Sequence, residues 1–217
     1  MEIMDLLYIL LSYFIGSIPS GLIIGQLFKQ VDIRDHGSGN LGATNAIRVL
    51  GPKYGSIVLV MDVLKGGLPI LLARQFFQTD IDPMIFGIFA VVGHIYPIFA
   101  GFRGGKAVAT SAGVLLFYQP IIFILGVLAF LITLLLFKMV SVSSTIAALS
   151  VLGLTLLFNI HPNLQARFFD GEFNVIFVTS ITVLFAFIII RHIPNYKRII
   201  NGTERKVGRY ANKIDEN

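Results

Sequence analysis

The chain has no cysteine and no tryptophan, and only 13% of its 217 residues are charged. The first absence excludes disulfides and thiolate nucleophiles. The second leaves any aromatic belt at a membrane boundary to tyrosine. The third excludes a water-soluble globular domain, whose charged share averages about 25%. Hydrocarbon fills the space instead, with 55% hydrophobic residues and a mean hydropathy of +0.81. No internal repeat or low-complexity tract divides the chain, so one domain over residues 1–217 is expected. The first apolar run starts almost at the N-terminus with no cleavage site behind it, and reads as a retained span. The net charge of +5 sits outside the apolar runs. That placement points to anionic headgroups or anionic substrates and away from nucleic acid.

Runs able to cross about 30 Å of hydrocarbon lie near residues 4–28, 54–77, 83–100, 121–137, 144–160 and 173–190. Between Lys106 and Lys138 there is no charge, a length too great for one crossing and small for two. Tyr118-Gln119-Pro120 near its centre predicts a turn, because proline removes a donor and breaks the helix. Charge sorting decides the count. With 107–118 and 121–137 as a thin hairpin, one side collects Lys29, Arg34, Arg48, Lys53, Arg103, Lys106, Lys138 and the basic tail from Arg191. The other side keeps Arg74 and Arg167. The expected fold is an all-α integral membrane protein of about seven transmembrane helices, N-terminus outside and C-terminus cytoplasmic. The same count gathers three polar stretches on the cytoplasmic face.

The first stretch, residues 34–48, is Arg-Asp-His-Gly-Ser-Gly-Asn-Leu-Gly-Ala-Thr-Asn-Ala-Ile-Arg. Gly37, Gly39 and Gly42 open backbone conformations closed to other residues. Ser38, Asn40, Thr44 and Asn45 surround them with donors and acceptors, and Arg48 adds a planar cationic fork. A helix beginning near Ala43 puts Asn45 and Arg48 on one face and aims its N-terminus at an anion. A glycine-rich re-entrant turn with solvated polar groups is the other reading. The second stretch, Gly101-Phe-Arg-Gly-Gly-Lys106, falls short of a P-loop. That motif needs four residues between its first glycine and Gly-Lys, then Ser or Thr, whereas Ala100 and Ala107 stand at those places. Backbone amides with Lys106 at a helix start still suit phosphate, and a topogenic basic turn is the alternative. The third stretch runs from Arg191-His-Ile-Pro-Asn-Tyr-Lys-Arg198 to Gly202-Thr-Glu204. His192 and Asn195 share a face if the helix continues past Pro194, and His192 suits a general base or an orienting group. Lys197 and Arg198 read as a juxtamembrane tail on anionic lipid.

Asp62 and Lys65, three apart inside the second span, predict a structural ion pair. Ser141, Ser143 and Ser144 follow Lys138, and membrane serines usually bond back to their own helix. His94 and Tyr96 read as packing residues. His36 and His161 have no carboxylate or second histidine at ligand spacing, so no metal site is expected.

Three of these stretches carry a resemblance. GSGNLGATNAIR, then Asp62 to Gly66 as Asp-x-x-Lys-Gly, GHIYPIFAGFRGGKAVAT over 93–110 and RHIPNYKRIINGTE over 191–204 closely resemble the bacterial acyl-phosphate-dependent glycerol-3-phosphate acyltransferases. Ser17-Ile-Pro-Ser-Gly21 also fits, and the match runs in order over nearly the whole chain. The resemblance implies acyl transfer from acyl phosphate to the 1-hydroxyl of glycerol 3-phosphate at a bacterial cytoplasmic membrane, with no cofactor. It implies substrate-phosphate contacts for Ser38 and Arg48, and a glycerol-3-phosphate role for Gly104, Gly105 and Lys106. His192 and Asn195 fall at its centre, Ser141 joins the site, and Glu204 is more structural. Arg103 stands where similar sequences commonly carry Lys, and Ala107 where they commonly carry Gly. No Ser/His/Asp arrangement is apparent and none of the four histidines begins a His-x-x-x-x-Asp pattern, so direct transfer without an acyl-enzyme is expected. The rival reading is a transporter or carrier of phosphorylated solutes or lipids. Against it, no half of the chain repeats the other and the polar groups gather at one face.

Overall fold

The computed structural model describes residues 2–168 and 173–207, and every regular element among them is helical. The first apolar run is two helices, α1 (Ile3–Ser17) and α2 (Ser20–Lys29), where one uninterrupted span is expected. Pro19 is the reason, since it has no N–H for the carbonyl four residues back. Then follow α3 (Ala43–Leu50), α4 (Pro52–Gln75), α5 (Pro83–Ile95), a 3-10 turn at Ile98–Ala100, α6 (Val108–Tyr118), α7 (Pro120–Phe137), α8 (Val140–Ile160), α9 (Pro162–Phe168) and α10 (Val175–Ile200).

Among the described residues, six stretches are long and apolar enough to cross a bilayer: Ile3–Lys29, Pro52–Gln75, Pro83–Ala100, Pro120–Phe137, Val140–Ile160 and Val175–Ile200. The seventh apolar helix, α6, has 11 residues, which at 1.5 Å each reach only about 16 Å. The turn between α6 and α7 falls where it is expected. Gln119 leaves helical geometry at φ −141°, and Pro120 opens α7 from its first position. Ile124, Leu128, Leu131 and Leu135 of α7 are exposed, as suits hydrocarbon solvent.

Packing is closest where glycines meet backbone. A Cβ on Gly16 of α1 would strike the Ala90 carbonyl of α5, and one on Gly66 of α4 the Thr110 carbonyl of α6. Gly113 of α6 faces the Val63 carbonyl of α4 in the same way. Small residues let membrane helices approach to van der Waals contact without a hydrophobic driving force. Gly113→Ala is therefore expected to lower stability by about 1–3 kcal/mol, because neither backbone can yield. Gly153→Ala, whose Cβ meets nothing within 4 Å, should be neutral or stabilising by up to about 1 kcal/mol. Thermal unfolding in detergent checks the pair.

Ile70, Met84, Val91, Val114 and Leu184 join α4, α5, α6 and α10 in one core. A second cluster, with Ile24, Ile33, Leu41, Ala46, Leu50 and Val58, seats α2, α3 and the loop between them on α4.

Candidate active site

Helix α10 does not end at Pro194. It continues to Ile200 and buries His192 and Asn195 on one face. Asn195 Oδ1 accepts a close hydrogen bond from Lys106 Nζ. Its Nδ2 donates to Glu204 Oε1 at 2.7 Å. The same oxygen accepts from Ser141 Oγ at 2.7 Å, while Arg198 Nε donates to Glu204 Oε2 at 2.8 Å. One carboxylate thus ties the start of α8 to the end of α10 and, through Asn195, to the second polar loop. Burial works against its charge, but the bonds from Ser141, Asn195 and Arg198 win and hold Glu204 below the usual carboxylate range. Ser143 bonds back to the Met139 carbonyl at 2.9 Å, as membrane serines usually do.

Burial, reinforced by repulsion from Arg198, Arg191 and Arg48 and opposed by Glu204, pushes the Lys106 ammonium down to about 8. Arg48 is thus felt at Lys106 although it stands on α3. Arg191 Nε and Nη2 donate to the Gly105 and Gly104 carbonyls at 3.1 and 3.3 Å, fixing the second loop against α10. The Gly105 N–H is taken by the His94 carbonyl at 3.1 Å. Of that loop, Lys106 is the group that reaches into the polar centre. Ala107 adopts φ +68° before α6, a left-handed value that glycine reaches without strain. His192 Nδ1 lies 2.8 Å from the Ile188 carbonyl. A carbonyl only accepts, so Nδ1 carries the proton and Nε2 of the neutral ring keeps its lone pair.

The first loop is held from within. Asn45 Oδ1 accepts from the Ser38 N–H at 2.7 Å, and its Nδ2 donates to the Ile33 and His36 carbonyls at 2.8 and 3.2 Å. Asn45 therefore works as a clamp on the loop, with its amide committed to backbone. Gly37 stands at φ +61°, with the Asn45 side chain where its Cβ would go. Asn40 Oδ1 accepts from the Gly42 N–H at 2.8 Å, just ahead of α3. Arg34 pairs with Asp32 at 2.6 Å and donates to the Ala100 carbonyl at 3.1 Å, joining the first loop to the second. Arg205 Nη2 reaches the Gly37 carbonyl at 2.9 Å, joining it to the C-terminal segment.

Of the residues singled out by sequence, Lys106, Asn195 and Ser141 meet around Glu204, and His192 lies one turn along α10. Gly104 and Gly105 are drawn in by Arg191, and Gly37 by Arg205. Ser38, Gly39 and Thr44 are exposed on the first loop and its helix start. Sequence reasoning missed Arg191, Arg198 and Arg205 as organisers. Arg198, read from sequence as a tail residue on lipid, is bonded to Glu204 at 2.8 Å. Extending the three-to-four spacing from Arg191 through Asn195 by one turn points to it.

Six bilayer-length stretches and a cationic centre organised by one carboxylate define a polytopic membrane protein with a polar site where its loops converge. A family model described as Glycerol-3-phosphate acyltransferase matches residues 6–202. A glycerol-3-phosphate acyltransferase of Bacillus subtilis is 52% identical over 93% of this chain and 96% of its own length. One of Listeria monocytogenes is 51% identical over 95% and 98%. Two crystal structures of PlsY (YgiH), an integral membrane glycerol 3-phosphate acyltransferase, superpose with TM-scores of 0.81 and 0.79 at 37% and 36% identity. Each comparison covers 94% of this chain and 95% of the other. The first is the glycerol 3-phosphate form and the second the lysophosphatidic acid form. The chain belongs to the glycerol-3-phosphate acyltransferase family and is an acyltransferase.

Proposed function

We propose that the chain transfers a fatty acyl group from acyl phosphate to the 1-hydroxyl of sn-glycerol 3-phosphate. The products are lysophosphatidic acid and inorganic phosphate, formed at the cytoplasmic face of a bacterial inner membrane with the N-terminus outside. The observation that carries this reading is the Lys106–Asn195–Glu204–Ser141 network, with Arg48, Arg191 and Arg198 around it. Such a centre binds and orients anions. Ser141 donates to Glu204, and among the described residues no serine hydroxyl is hydrogen-bonded to a histidine. That favours direct transfer. Ser38, Arg48, Gly37, Gly39, Asn40 and Thr44 would frame one phosphate, with Asn45 clamping their loop from behind, and Gly104, Gly105 and Lys106 the other.

Acyl phosphate is a mixed anhydride, so positioning two anions and stabilising developing charge do most of the work. The glycerol hydroxyl oxygen bonds to the acyl carbon, and the bond to phosphate oxygen breaks with its electron pair. Nε2 of His192 takes the hydroxyl proton. Purified protein in detergent with both substrates is expected to release phosphate stoichiometrically with lysophosphatidic acid, and no release would overturn acyl phosphate as the donor. His192→Ala is expected to lose about 10²–10⁴-fold in turnover. Near-full turnover in that variant would move the proton to a substrate phosphate, and a labelled acyl-protein would overturn direct transfer.

A further inference from the structure

Behind the second loop lies a group of buried polar side chains that the proposed reaction does not use. Ser20 and Asp62 are 1% exposed, His94 5% and Lys65 7%. Asp62 Oδ1 accepts from Lys65 Nζ at 2.8 Å and from Ser20 Oγ at 3.0 Å, and lies 3.7 Å from His94 Nδ1. Lys65 Nζ also donates to the Ile18 carbonyl at 2.8 Å, where Pro19 interrupts the first span. A cavity of about 10 Å³, the room of one water molecule, touches Ser20, Asp62, Lys65, His94 and Gly105. The cluster therefore extends from the ion pair to the underside of the loop.

His94 is the part that meets the loop. A Cβ on Gly105 would overlap Nε2 of its ring, and one on Gly104 would overlap the His94 carbonyl. The Gly105 N–H donates to that same carbonyl at 3.1 Å. Arg191 in turn donates to both glycine carbonyls. The two glycines thus touch His94 and are bonded by Arg191, and the next residue is Lys106. Their lack of side chains has a packing cause on this side, whatever phosphate they meet on the other.

We propose that His94 is a positioning residue for Lys106. Its imidazole, buried beside the Asp62–Lys65 pair, forms a floor beneath Gly104 and Gly105, and that floor sets where the Lys106 ammonium enters the site. The inference rests on the reading that Lys106 binds the phosphate of glycerol 3-phosphate. A displacement of about 1 Å at such a point costs roughly a hundredfold.

The test is a cycle of three variants measured for KM, kcat and thermal midpoint in detergent. His94→Ala is expected to raise the KM for glycerol 3-phosphate by about 10- to 100-fold, with a smaller change in kcat. Gly105→Ala should be at least as damaging, because its methyl collides with the ring. His94→Ala/Gly105→Ala should then regain about tenfold in KM over Gly105→Ala, since the methyl enters the space the ring has left. If His94→Ala does not fold, His94→Gln/Gly105→Ala replaces it, a flexible amide yielding where an imidazole does not. A double variant no better than Gly105→Ala would overturn the proposal, because the methyl would then be blocking substrate and not meeting His94. Calorimetric binding of glycerol 3-phosphate without donor separates the two readings. Wild-type protein that binds but does not turn over sinks the reaction and leaves the positioning role standing. His94→Ala that binds as tightly as wild type sinks the positioning role, and wild-type protein that does not bind at all sinks both.

Discussion

Lys106→Met is expected to cut kcat/KM for glycerol 3-phosphate by about 10²–10³ while the protein stays folded. The side chain hangs from a loop whose carbonyls are held by Arg191, so removing the ammonium leaves only Asn195 Oδ1 short of a partner. The same residue sets an alkaline limit. Burial and the repulsion of Arg198, Arg191 and Arg48, less the attraction of Glu204, bring the ammonium down to about 8. It is charged below that pH and neutral above it, and a phosphate needs the charged form. kcat/KM should therefore fall as pH rises through about 8, by up to tenfold per unit beyond it, since that parameter reports the free enzyme. Glu204 is held low by its three donors and adds no break near neutrality. Lys106→Arg keeps its charge at every accessible pH, so it should be less active than wild type and flat through the alkaline limb. A wild-type profile without a break near 8 would remove Lys106 from phosphate binding.

Hydropathy is additive over a span, which is why six bilayer-length stretches stand close to where composition puts them. It is blind to local breaks, and Pro19 splits the first span without changing its apolar average. It is also blind to helix length, so it does not foresee that α6 has only 11 residues. Proline with polar company announced the α6–α7 turn, because there a missing donor coincides with Gln119. In the site, helical spacing reached His192 and Asn195, and Lys106 stood out as a cation beside glycines. The organiser of the centre, Glu204, came forward only through the resemblance and not through spacing. Glu204 lies beyond the end of α10, past Gly202 at φ +69°, so no periodicity connects it to Ser141 or Arg198. Asn45 shows the converse failure. Spacing pairs it with Arg48, but burial commits its amide to the carbonyls of Ile33 and His36, and backbone partners leave no mark in sequence.

The Asp62–Lys65 pair supplies the other large effect, on stability. Lys65→Met should destabilise the protein by about 3–5 kcal/mol, the usual cost of removing one partner of a buried pair. Asp62 would remain 1% exposed with only Ser20 on Oδ1, and its Oδ2 already has no side-chain or backbone partner. The Ile18 carbonyl, at the one break in the first span, would lose the Lys65 donor as well. Asp62→Asn should cost less, because the amide oxygen still accepts from Lys65 while the ammonium keeps Ile18. Asp62→Asn/Lys65→Met carries no buried charge and should recover most of what Lys65→Met loses, short of the bond to Ile18. The predicted order of thermal midpoints in detergent is wild type highest, Lys65→Met lowest, and the double variant between them. The double variant matters most, because it separates charge from packing. If it is no more stable than Lys65→Met, the loss belongs to the bond at Ile18. If Lys65→Met is as stable as wild type, the 2.8 Å contact is not an ion pair.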